Sequence, residues 1–263
     1  MTRKKMAIIG CGKMASAMAL GMPKGSLEFF GYNPTLKKAQ DLMASVVGTA
    51  IPSLKDLPTC DFYLIGAKPQ HFKELAQSFS PPKESTIISL MAGITMDTLM
   101  RGFNSKKVIR LMPNTPCLVG EGVVGLIASK GVENLSFITD LLKNTGLVQV
   151  VDNEELINII TAFTGSGPAY IFELANILSD LMVERGLDQE VAQKLIVQMI
   201  KGSGVLMSKS SESPRALRDN VTSKGGTTEA ALNVFKTEGL RAMVSSAIVA
   251  NLTRAKELEG ESK

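Results

Sequence analysis

The rhythm of apolar and polar positions changes once along the chain, near residue 151. Before that point short apolar runs alternate with amphipathic stretches. The runs are MAIIG at 6–10, LEFFGYN at 27–33, DFYLIGA at 61–67, STIISL at 85–90, KVIRLM at 107–112, VVGLIA at 123–128 and LVQVV at 147–151. Runs this apolar suit strands covered on both faces, so the pattern predicts a mainly parallel sheet between helices. Beyond residue 151 the period becomes helical, over 154–163, 168–185, 189–207 and 240–258, with Gly and Pro as punctuation. The expected fold class is α/β: an N-terminal Rossmann-like doubly wound sheet over 1–151, followed by an all-α domain over 152–263.

In the helical half, Ile171, Leu174, Ile177, Leu178 and Leu181 make a wide apolar stripe. Two readings are open for it, the core of an ordinary bundle or a buried dimer interface. No internal repeat, low-complexity stretch or heptad array is present. At 44% hydrophobic and 21% charged residues the composition is that of a soluble globular protein. The net charge of +4 is spread among interleaved acids and bases, which excludes a basic block that would grip a nucleic acid. Cys11, Cys60 and Cys117 are far apart and form no CxxC pair, against both a disulfide framework and a zinc site. The opening RKKMAIIGCGKMASA has the outline of a signal peptide, but Lys13 breaks its apolar run, and the same residues read as a strand entering a turn. No apolar stretch approaches the ~20 residues of a membrane helix. A cytoplasmic location is expected, with no membrane and no metal.

Gly10-Cys11-Gly12-Lys13-Met14-Ala15 follows an apolar run and opens the helix-like MASAMALGM, the context of a dinucleotide-binding glycine turn. Gly10 permits the tight turn, Gly12 lets a pyrophosphate approach the backbone, and Ala15 or Ser16 lets the helix pack close. The second run ends at Asn33 without the acid that would receive a ribose 2′-hydroxyl, which favours NADPH over NADH. Asn33 is able to donate to a 2′-phosphate, and Lys37 and Lys38 lie one helical turn further on.

Four more segments accompany this turn: GAKPQ at 66–70, MPNTP at 112–116, TGSGPAY at 164–170 and VTSKGGTTEAAL at 221–232, the last preceded by LRDNV. Together they resemble the pyrroline-5-carboxylate reductase family over the whole chain. The resemblance implies an NADPH-dependent enzyme that reduces the cyclic imine 1-pyrroline-5-carboxylate to proline, the last step of proline biosynthesis. It also implies dimers with intertwined helices, or higher oligomers built from dimers. On the resemblance, Ala67, Lys68 and Pro69 lie beside the nicotinamide half of the cofactor, with Gly66-Ala67 in place of Ala-Val. Ser53 stands where relatives carry an Asn near the adenosine ribose, and Ala92, in SLMAG, is a further cofactor contact. Asn220 matches a residue near cofactor and substrate. Glu154 matches a glutamate that faces the substrate.

By the same resemblance the loop Ser223-Lys224-Gly225-Gly226-Thr227-Thr228 holds the substrate carboxylate through the backbone N–H groups of Gly225 to Thr227, and Thr228 reaches the ring nitrogen. Lys224 replaces a usual Pro. Read without the family, Thr227 and Thr228 are helix N-cap candidates and Glu154 is a first-turn carboxylate. Imine reduction asks little of side chains beyond positioning, so Thr228 is the one catalytic candidate. His71, the single histidine, reads as a helix-start residue. β-Hydroxyacid dehydrogenases share the two-part plan but need a lysine base on the first helix of the second domain, and no lysine occurs from Thr161 to Glu184. A non-catalytic NADP-sensing protein would not need VTSKGGTT.

Overall fold

The structure is a computed structural model and describes residues 3–261. The first part runs β1 (Lys4–Ile9), α1 (Lys13–Gly21), β2 (Leu27–Tyr32), α2 (Leu36–Val46), β3 (Thr49–Ile51), β4 (Phe62–Ile65), α3 (Phe72–Ser78), β5 (Thr86–Ser89), α4 (Met96–Gly102) and β6 (Val108–Pro113). Then follow β7 (Gly122–Ala128), α5 (Leu135–Leu142), β8 (Gly146–Val150) and α6 (Glu154–Ile160). The remaining helices are α7 (Gly167–Val183), α8 (Gln189–Lys209), α9 (Pro214–Asn220), α10 (Thr227–Thr237) and α11 (Leu240–Glu261). The strands form one sheet in the order β3-β2-β1-β4-β5-β6-β7-β8. The first six are parallel, β7 is antiparallel to β6, and β8 is parallel to β7.

Successive strand residues point to opposite faces, and each face builds its own core. Met6, Ile8, Phe62, Leu64, Ile109 and Leu111 pack under α1, α2 and α5. Ala7, Ile9, Tyr63, Ile65, Ile87 and Val108 pack under α3 and α4, where Phe72, Phe79 and Phe103 meet edge-on. That two-sided burial is why these strands are uniformly apolar in sequence. LVQVV is the exception, because it becomes the edge strand β8, with Leu147 and Val150 exposed. β3 is a three-residue strand that no apolar run announces.

The chain divides into two compact units, and the break falls in the Gly- and Pro-punctuated stretch after the first helical segment, beyond the change of rhythm at 151. The sheet unit ends at Ser166 and takes up the chain again from Asn251, whereas the helical unit spans Gly167–Ala250. The change of rhythm at 151 is the end of the last strand. It is not the boundary of the unit, because α6 packs back on β7 and the following turn, Thr161–Gly165, is a π-helix tied to the sheet. Asn114 makes that tie, accepting from Val123 N–H and donating to the Thr164 carbonyl.

Within the helical unit the only apolar residues buried are Ala192, Ile196 and Ile248. Ile171, Leu174, Ile177 and Leu181 are each 39–47% exposed, so the stripe is not the core of a bundle within one chain.

Candidate active site

The sheet order reverses between β1 and β4, and in open α/β sheets ligands settle beyond the strand ends at that switch. Here β1 runs into Gly10 and β4 into Gly66, and the two turns touch. A Cβ on Gly10, whose φ is +93°, would lie 2.5 Å from Ala67 N. One on Gly66 would lie 2.5 Å from the Gly10 carbonyl oxygen and 2.7 Å from Ala15 Cβ. Gly66 and the small Ala15 are therefore required by packing.

Gly12 differs. A Cβ there would find nothing closer than the Gly66 oxygen, at 4.0 Å, so the space in front of it is open. Gly12 is the N-cap of α1 and supplies no side-chain cap, which leaves the first-turn N–H groups facing that space. A cradle with free amides and room beside a glycine fits a dinucleotide pyrophosphate.

The cleft beyond this cradle, about 420 Å³, is lined by Gly10, Gly12, Asn33, Lys38, Ala67 and Lys68, with His71 on its wall. Lys13 and Met14 occupy the first turn of α1 without lining it. Asn33 is a brace: its Oδ1 accepts from Cys11 N–H at 3.2 Å, and its Nδ2 donates to the Thr35 carbonyl at 3.1 Å. It holds the glycine turn against the start of α2. Lys37 is paired with Asp41 at 2.8 Å, while Lys38 reaches the cleft. Ser53 Oγ caps the short turn after β3, accepting from Lys55 N–H. His71 ends the turn before α3 and is exposed. Pro69 and Ala92 line an adjoining cleft of about 430 Å³. The Cys11 thiol, inside the glycine turn, is pushed up to about 11 by burial.

Glu154 is committed to the fold. One carboxylate oxygen accepts from both the Arg110 guanidinium and Met96 N–H, so the expected substrate-facing glutamate is first of all a ligand of a buried arginine. The sequence carried no sign of this, because Arg110 sits inside an apolar strand run.

The signature loop lies in the helical unit, as does Asn220, whose amide donates to Glu212 at 2.9 Å. Two of the backbone donors expected to hold a carboxylate are spent within the loop. Gly225 N–H donates to Glu229 at 2.6 Å, and Gly226 N–H to the Ser223 carbonyl at 3.0 Å. The positive φ of Gly225, +74°, makes the turn that closes these bonds. What remains is the first turn of α10, capped by Gly226 without a side-chain bond, which leaves the amides of Thr227, Thr228 and Glu229. The Ser223, Thr227 and Thr228 hydroxyls make no hydrogen bond among the described residues. Of the three amides expected to hold the carboxylate, those of Gly225 and Gly226 are bonded within the loop and that of Thr227 stands in the open first turn of α10.

Residues 154–258 match the family model described as pyrroline-5-carboxylate reductase dimerisation, and residues 5–93 match that described as NADP oxidoreductase, coenzyme F420-dependent. A pyrroline-5-carboxylate reductase of Haemophilus influenzae is 34% identical, over 98% of this chain and 99% of its own. The Escherichia coli enzyme of that name is 30% identical over 97% and 98%. Among solved structures, a pyrroline-5-carboxylate reductase from Coxiella burnetii superposes with a TM-score of 0.86 at 30% identity, over 98% of this chain and 99% of the other. The Plasmodium falciparum pyrroline carboxylate reductase with NADP bound superposes with a TM-score of 0.83 at 27% identity, over the same shares. With its length matched end to end in sequence and in fold, the chain belongs to the pyrroline-5-carboxylate reductase family.

Proposed function

We propose that this chain reduces 1-pyrroline-5-carboxylate to L-proline with NADPH. The observation that carries the reading is the first turn of α10. It combines uncommitted amides with two free threonine hydroxyls, in a chain whose strand ends also form an open glycine cradle. When bound, the cofactor supplies the hydride. The chain's own residues position: Gly12 and the α1 N-terminus take the pyrophosphate, while Ala67, Lys68, Pro69 and Ala92 flank the nicotinamide half. The amides of Thr227 and Thr228 take the substrate carboxylate, and Thr228 Oγ hydrogen-bonds the ring nitrogen, whose basicity rises as the C=N bond is reduced. No strong acid is required, since the iminium already carries its proton.

The preference for NADPH rests on the absence of an acid at the end of β2 and on Lys38 in the cleft, and NADH would serve more weakly. Self-association as a dimer, or as a dimer-based oligomer, follows from the exposed stripe on α7, which water would otherwise cover. The described residues hold no helix long and apolar enough to cross a membrane and no cluster of metal-binding side chains. Three free, buried thiols suit a reducing cytoplasm. The test is direct: NADPH oxidation by the purified protein with the cyclic imine, and proline as product. No turnover of the imine, with NADPH binding intact, would remove the substrate assignment and leave the cofactor assignment standing.

A further inference from the structure

Arg110, on β6, is 2% exposed and is among the largest fully buried side chains. Its guanidinium bonds Glu154 at the start of α6, and lies 3.7 Å from Glu259 in the last turns of α11. The Glu259 side chain is 18% exposed, and its Oε1 is buried with no hydrogen-bond partner. A buried carboxylate oxygen without a hydrogen bond is unfavourable, and an apolar side chain would occupy the position at lower cost. An ion pair is directional, and setting the rotation and axial register of the element that bears it is the best-attested use of a buried one.

The neighbour of Glu259 shows what that register controls. Leu258 lies on the turn after β5, where a Cβ on Gly93 would come within 3.2 Å of Leu258 Cβ. It stands between two clefts. One, about 430 Å³, is lined by Pro69, Phe72, Ala92 and Ile94, and the other, about 190 Å³, by Ala92, Gly93, Arg110 and Arg254. Pro69 and Ala92 are the residues assigned above to the nicotinamide half. On the same helix, Asn251 Nδ2 donates to Ser166 Oγ at 2.9 Å, so the segment from 251 to 259 is fastened to the sheet unit at both ends.

We propose that the end of α11 is a wall of the nicotinamide compartment, with Leu258 as the residue that contacts the ring and Glu259 as a positioning residue acting through Arg110. The proposal rests on the NADPH reading. An apolar wall there excludes water from the carbon that gives up hydride, and the buried ion pair keeps that wall from turning away.

The experiment compares two ligands on the full-length protein: NADPH, followed by its fluorescence, and 2′,5′-ADP, which carries only the adenosine half, followed by calorimetry. Leu258→Ala is expected to weaken NADPH about fivefold or more and to leave 2′,5′-ADP within about twofold. Glu259→Gln, of equal size without the charge, is expected to weaken NADPH in the same direction. Because Glu259 acts only by placing Leu258, the double variant should be no worse than Leu258→Ala alone. Unchanged or tighter NADPH binding in Leu258→Ala would overturn the proposal, as would equal losses of both ligands or additive losses in the double variant. An unmodified protein that binds 2′,5′-ADP and not NADPH would overturn it too, and failure to bind either would take the dinucleotide reading with it.

Discussion

Gly12→Ala and Gly66→Ala separate what the glycine turns do for the fold from what they do for the cofactor. Gly12 has φ −84° and ψ 175°, a conformation alanine adopts without strain, and its added Cβ would meet no protein atom within 4.0 Å except the Gly66 oxygen at that limit. Alanine is a weaker N-cap than glycine by about 0.5–1 kcal/mol. It also restricts the unfolded chain, which offsets that loss by about 0.4–1 kcal/mol. Stability should therefore be nearly unchanged.

The methyl group would stand where the pyrophosphate approaches, and hydrogen bonds to a charged group contribute about 1.5–3 kcal/mol, so NADPH affinity should fall tenfold or more. Gly66→Ala reverses the pattern. Its Cβ would press on the Gly10 oxygen at 2.5 Å and on Ala15 Cβ at 2.7 Å, and neither is a flexible side-chain end. Overpacking of this kind costs about 1–3 kcal/mol, with Tm falling about 2–4 °C for each kcal/mol in a chain of this size. The assays are thermal unfolding without ligand and NADPH titration by fluorescence. A Gly12→Ala variant that bound NADPH within about twofold of the unmodified protein would refute the placement of the pyrophosphate. An equal loss of Tm in both variants would refute the division between packing and binding.

Lys38 reaches the cleft while Lys37 is held by Asp41, so Lys38→Ala should lower the NADPH-over-NADH preference by about tenfold and Lys37→Ala should leave it unchanged, as measured by kcat/KM for each cofactor. Thr228→Ala should lower kcat about tenfold with little change in KM, and its Tm should not move, because the hydroxyl supports nothing in the fold; near-normal kcat would show that solvent serves the ring nitrogen. Burial pushes the Cys11 and Cys60 thiols up to about 11 and about 12. In the unfolded chain they ionise near 9, so the stability they contribute is complete below that pH and is lost as pH rises through the folded values. Denaturant melts across the alkaline range should show that decline, and alkylation of the native protein near neutral pH should be far slower than of the unfolded chain.

The parts of this protein legible in one dimension are those whose physics is local. A strand buried on both faces favours apolar residues in unbroken runs, which is how β4 and the inner part of β1 announce themselves. A turn that needs positive φ at Gly10 and an open face at Gly12 must spell its glycines in order. The first turn of α10, with its glycines and threonines, is equally local, and the family resemblance rests on such segments.

What only the tertiary structure decided depends on partners far apart in the chain. Gly66 is small because Gly10 and Ala15 press on it across 51 or more residues. The sheet unit runs on to Ser166 because Asn114 ties the π-helical turn to β7, and it reclaims residue 251 onward because Arg110 and Ser166 hold the end of α11. Arg110, an arginine within an apolar run, carries no local sign that Glu154 and Glu259 will neutralise it. Periodicity records which faces are buried, but the pairing of one buried charge or one amide with another is settled only when the chain has closed on itself.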